Sequence, residues 1–190
     1  MRMDDLGLEL KFAGGAPVLT ETEAGGHVIE GYASLFGVAD QGGDVVAPGA
    51  YAASLKRLAD TGDKVRMLWQ HDPGQPIGIW DEVREDGRGL WVRGRLLPEV
   101  ARAREAAALV AAGAIDGLSI GYRTVRAERD ETGRRVLAEV ELWEVSLVTF
   151  PMLREAKVAG KSDDPGAAAD EAAALVEALR AATEALRGAR

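Results

Sequence analysis

Glu144 stands in the run Leu142-Trp143-Glu144-Val145-Ser146-Leu147-Val148, which is otherwise suited to burial on both faces. A carboxylate in such surroundings is costly unless a cation or a hydrogen-bond donor meets it. The other reading puts it at a strand edge facing solvent, where most glutamates lie. His71 follows a compact apolar stretch and precedes Asp72, Pro73, Gly74 and Pro76, so it sits where a strand gives way to a loop. In isolation such a histidine is more often a surface turn residue than a catalyst. Ser119 lies in Gly117-Leu118-Ser119-Ile120-Gly121. Serine in a strand usually fills space or bonds locally, but flanking glycines let another backbone or a substrate approach closely. Together the three residues have the chemistry of a nucleophilic hydrolase. A serine hydroxyl becomes a nucleophile when an imidazole accepts its proton, and a carboxylate on the other ring nitrogen orients the imidazole and stabilises its charged form.

The elements that must hold these residues follow from hydrophobic periodicity. Leu6 to Phe12 and His27 to Phe36 alternate as strands, with glycine and acidic breaks between them as turns. Val45 to Asp60 predicts a short amphipathic helix, with Pro48 in its first turn and Tyr51, Leu55 and Leu58 at helical spacing. Lys64 to Gln70 predicts a strand ending at His71. Ile77 to Val83 and Gly89 to Leu97 predict a hairpin around Arg84, Glu85, Asp86 and Gly87. An alanine-rich helix is framed by Pro98 and Gly113. Two further strands, Gly117 to Arg126 and Val136 to Thr149, carry Ser119 and Glu144. Beyond Pro151 a polar linker, Lys161 to Gly166, leads to a helix reaching Arg190, whose Leu175, Leu179, Ala182 and Leu186 form one apolar stripe. The expected division is residues 1–158 as the globular domain and 159–190 as linker and amphipathic helix.

Composition narrows the chemistry. The chain has 190 residues, 47% hydrophobic and 28% charged, as expected of a globular protein. Its net charge of -8 argues against nucleic acid, which is bound mainly through Lys and Arg on phosphates. With no cysteine the nucleophile must be an alcohol. With only two histidines, His27 and His71, and no suitable acidic spacing, no metal or other cofactor is expected. Met1 to Gly15 reads as neither a signal peptide nor a membrane span, so no membrane partner is expected.

At these residues the sequence resembles the prohead protease family of tailed phages with the Hong Kong ninety-seven type of capsid, from roughly Leu8 to Lys157. Five segments carry the resemblance in order: Gly31 to Gly37, Asp44 to Tyr51, Leu68 to Asp72, Gly117 to Tyr122 and Leu142 to Pro151. The resemblance implies an α+β fold with a mixed or antiparallel β-barrel core surrounded by helices, herpesvirus-protease-like, and a triad of Ser119, His71 and Glu144. The herpesvirus branch is similar but has histidine as third member, and Glu141, three residues earlier on the other face of the strand, is the competitor here. That branch also has paired arginines near its oxyanion hole, where this chain offers Met152, Leu153 and a single Arg154, so backbone amides near that loop are the expected donors.

The resemblance further implies a serine endopeptidase that processes major capsid protein or scaffold, and in some cases itself, inside an immature shell in the bacterial cytoplasm, as a homo-oligomer. The rival from another class is a non-catalytic scaffold or assembly module that keeps the barrel. A small-ester hydrolase would place its Gly-x-Ser-x-Gly at a strand-to-helix turn, whereas Gly117 to Gly121 continues as a strand.

Overall fold

In His27–Leu35 the inward positions Ile29, Gly31 and Ala33 are buried, as a strand with one face on a core requires. The computed structural model describes residues 9–13, 17–22, 26–40 and 42–149. Its strands are β1 (Glu9–Ala13), β2 (Val18–Glu21), β3 (His27–Leu35), β4 (Val45–Val46), β5 (Arg66–Trp69), β6 (Asp72–Glu85), β7 (Gly89–Leu96), β8 (Gly117–Arg129) and β9 (Arg135–Val148). Helix α1 spans Ala52–Thr61 and α2 spans Ala101–Ala111. The expected linker at Lys161 to Gly166, the helix beyond it, and Met152 to Arg154 lie outside the described residues.

All nine strands form one sheet in the order β1-β8-β9-β5-β6-β7-β3-β2, with β4 attached to β9. Pairing is antiparallel except at β4 with β9 and β5 with β9. The sheet curls: the Leu118 side chain of β8 reaches within 3.4 Å of where a Cβ would stand on Gly31 of β3, and Pro17 approaches the same point. The concave side holds Ile29, Val92, Ile77, Trp80, Leu118, Ile120, Val145 and Leu147. Helix α2 closes on this core with Ala103, Ala106 and Ala107, small enough for the helix to approach the sheet. The result is a mostly β, half-barrel sheet with two helices among the described residues.

Three expectations change. Val45 and Val46 do not begin a helix: they pair with Val136 and Leu137, where both are buried. Gly49, at φ 85°, turns the chain before α1 starts. Val18–Glu21 is an edge strand paired to β3, and its exposed Val18 and polar flanks leave too little alternation to read as one. The turn chemistry at Asp72 to Pro76 is not a loop but the irregular start of β6, with bulges against Leu68 and Trp69.

Elsewhere the turns follow their residues. Gly113, at φ 71°, ends α2, and the hairpin of β6 and β7 is tied at Asp86. The Asp86 carboxyl accepts from the backbone N–H of Arg88 and from the Tyr32 hydroxyl, both at 2.8 Å. These donors hold its carboxyl down to about 2.

Candidate active site

Trp69 of β5 pairs with Asp72 of β6, leaving Gln70 and His71 as a two-residue hairpin loop. Both adopt positive φ, 52° and 60°, as a type I′ turn demands. Asn-Gly is the favoured filling for that geometry, and a non-glycine residue in it costs of order 1–3 kcal/mol. The end of β9 holds the turn in place. The Gln70 N–H donates to the Leu147 carbonyl (3.0 Å), the His71 N–H to Ser146 Oγ (3.1 Å), and Gln70 Nε2 to Thr149 Oγ1 (2.6 Å).

This turn delivers the imidazole to Glu144. His71 Nδ1 lies 2.5 Å from Glu144 Oε1, with the two side chains 9% and 2% exposed. The surface-turn reading of His71 and the solvent-facing reading of Glu144 are thereby overturned. An ionised carboxylate can only accept, so this contact sets a proton on Nδ1 and fixes the orientation of the ring. The second carboxylate oxygen, Oε2, accepts from Ser146 Oγ at 2.5 Å. Gly121 lies opposite Glu144 in the β8–β9 register. A Cβ on Gly121 would stand 2.9 Å from Glu144 Cγ and Cδ and nearer still to Oε1, so the glycine makes the space that the carboxylate fills.

β9 reaches this arrangement through a bulge. Tyr122 opposes Leu142 and Gly121 opposes Glu144, which leaves Trp143 as the extra residue, 45% exposed. Leu142 therefore shares the core face with Val145 and Leu147, while Glu144 and Ser146 take the other. Two expectations are corrected here. The run is not buried throughout, and Glu141 shares the face of Glu144 instead of opposing it. Glu141 is engaged elsewhere, pairing with Arg57 and Arg123.

Ser119 is fully buried and sits directly across from Ser146. Cross-strand partners hold their Cβ atoms about 4.5–5.5 Å apart, so the serine stands one strand over from the atom that links Glu144 to the histidine turn. Its hydroxyl donates to the Lys11 carbonyl oxygen of β1 at 3.2 Å. The structure thus joins His71 to Glu144 directly and places Ser119 beside them in the sheet.

The strand that receives the Ser119 hydroxyl is itself anchored. Lys11 is buried, with Nζ bonded to Asp40 Oδ2 (2.8 Å) and to the Asp44 carbonyl (2.7 Å). Arg135 bridges Glu9 of β1 (2.6 Å) and Asp44 (2.8 Å). Sequence reasoning missed Ser146 and Lys11 and misread Gly121, whose neighbour is a carboxylate and not a backbone or substrate. The spacing of Gly121 from Ser119 was the signal for it. Among the described residues no group of three or more acidic or histidine side chains gathers as a metal centre would.

Known proteins resemble this chain in sequence and in fold. The family model of the caudovirus prohead serine protease matches residues 17–169. The chain is 34% identical over 142 residues to the prohead protease of Enterobacteria phage HK97, covering 73% of this chain and 62% of that protein. The chain thus spans less than two thirds of that relative's length. The solved structure of the bacteriophage T4 capsid assembly protease superposes with a TM-score of 0.62 at 18% identity, over 74% of this chain and 96% of the other, a likeness of fold. A match running from residue 17 to residue 169 takes in the histidine turn, the serine strand and the strand of Glu144, and on that span the chain belongs to the caudovirus prohead serine protease family.

Proposed function

We propose that the protein is a serine endopeptidase that cuts capsid or scaffold protein inside an immature phage shell. The observation that carries this reading is the pair of His71 Nδ1 and the buried Glu144 Oε1 at 2.5 Å, built on a strand whose neighbour bears Ser119. In the proposed reaction Ser119 Oγ attacks the scissile carbonyl carbon while its proton passes to His71 Nε2. The imidazolium, stabilised by Glu144, returns that proton to the leaving amine as the peptide bond breaks. Water then hydrolyses the acyl ester with His71 as base and restores the serine. The Ser119 hydroxyl proton leaves the Lys11 carbonyl as it passes to the imidazole. Backbone amides after β9 are the proposed oxyanion donors.

The kinship of fold with the herpesvirus proteases, association of like subunits within the shell, and a helical tail that recruits the enzyme during assembly belong to the same proposal. The names of the two relatives, a prohead protease and a capsid assembly protease, support it. A second reading, a non-catalytic assembly module, is favoured by one observation: Ser119 is fully buried and its hydroxyl bonds to backbone.

One experiment separates the two. Purified protein is incubated with phage capsid and scaffold proteins, and cleavage is followed for wild type, Ser119→Ala, His71→Ala and the double variant. Each single change should lower the rate by roughly four or more orders of magnitude, with the double variant little worse than either. Additive losses would break the catalytic unit apart, and cleavage unaffected by Ser119→Ala would leave only the assembly module.

A further inference from the structure

Ser146 is fully buried in β9 and makes two hydrogen bonds that end on different parts of the site. Its Oγ accepts from the His71 backbone N–H at 3.1 Å and donates to Glu144 Oε2 at 2.5 Å. A hydroxyl carries one proton. Acceptance from a backbone N–H fixed by the hairpin turn leaves that proton directed at the carboxylate, so the rotor has one satisfied setting.

We infer that Ser146 is a positioning residue of this site, coupling the histidine turn to the orienting carboxylate through a single oxygen. The inference rests on the roles proposed above for His71 and Glu144. With Oε2 occupied by Ser146, the carboxylate plane is fixed and Oε1 alone meets Nδ1. The same oxygen restrains the His71 backbone, so imidazole and carboxylate move together. Gly121 leaves Glu144 its room on the β8 side, and Ser146 sets its rotation from within β9. Without the hydroxyl, Glu144 gains freedom to turn, and the partly buried His71 N–H loses its acceptor.

A merely structural serine would affect melting alone, so the test reads the imidazole itself. Ser146→Ala is compared with wild type by kcat and KM on a capsid-derived peptide, and by the low-field proton NMR resonance of His71 Nδ1–H. The loss of one charge-assisted hydrogen bond should lower kcat about 10- to 100-fold with KM within about twofold, and the resonance should move upfield or broaden into exchange with water. Ser146→Cys keeps the shape with a weaker donor and should fall between the two. An unmoved resonance, or in an active enzyme a kcat within about twofold of wild type, overturns the inference. Should Ser146→Ala fail to fold, the cysteine variant decides on the same two readings. If wild type and Ser119→Ala are alike inactive, the peptidase reading fails, while the resonance still decides the role of Ser146.

Discussion

Gly121 and Glu144 face each other across β8 and β9, and the missing side chain of the first is the room taken by the carboxylate of the second. Gly121→Ala should therefore displace Glu144 with little room for repair, since the atoms in the way belong to a buried side chain already bonded to His71 and Ser146. Overpacking of this kind costs about 1–3 kcal/mol. The expected result is a lowered melting temperature and a kcat reduced about 100-fold or more, the larger effect being on kcat because 1 Å of misplacement is enough. A variant with wild-type kcat would show that the carboxylate needs no fixed seat.

The two nearby glutamates should separate cleanly. Glu144→Gln keeps the shape but loses the charge that orients and stabilises the imidazole, and turnover should fall by roughly 10² to 10⁴. Glu141→Gln weakens only pairs with the half-exposed Arg57 and Arg123, worth about 0–1 kcal/mol in stability, and should leave turnover near wild type. The reverse ranking would move the site to Glu141.

The clasp on β1 should respond to acid. The Arg135 guanidinium holds the Glu9 carboxyl below its ordinary value of 4.5, outweighing the burial that would raise it. A carboxyl depressed in the folded state adds stability that is fully present above the unfolded value. That contribution is lost as pH falls through the folded value. Both side chains are more than a third exposed, so screening keeps it within about 1 kcal/mol. Urea midpoints measured from about pH 6 down to about pH 3 should fall less steeply for Glu9→Gln than for wild type, and the difference should shrink in high salt. Parallel curves would remove Glu9 from the acid response.

The chain past Lys157 offers a further check on activity. Its polar stretch from Lys161 to Gly166 is of a composition that a peptidase can accept in extended form. Wild type held at high concentration should lose mass corresponding to a cut between about Lys157 and Gly166, whereas Ser119→Ala stays full length. Intact masses for both after long incubation would end the idea of self-trimming. A chain ending near Ala159 should keep peptidase activity yet enter immature shells poorly, which co-sedimentation would measure.

Much of the fold could be read from alternation alone, because strands such as His27–Leu35 and Gly89–Leu96 bury one side. Glu144 was legible because a carboxylate amid Leu142, Val145 and Leu147 demands a partner. Ser146 was not, since a small residue in the same run reads as filler until the histidine turn is laid against it. The Ser119 bond to the Lys11 carbonyl joins residues 108 positions apart, and no local pattern carries such a contact. The bulge at Trp143 defeated parity counting, which assigns Leu142 and Glu144 to one face when the sheet puts them on two. Val45 and Val46 failed for a related reason: two residues are too few to show a period, and their partners lie some ninety residues on, at Val136 and Leu137.

The hairpin at Gln70 and His71 sets thermal robustness against turnover. Both positions have the backbone that glycine or asparagine would fill with less strain. A search for hardier variants, guided by melting temperature alone, would drift toward Asn-Gly at this pair and discard the imidazole while improving its score. Such a selection should carry an activity screen from the first round, or hold position 71 fixed and look for gains in the surface turns.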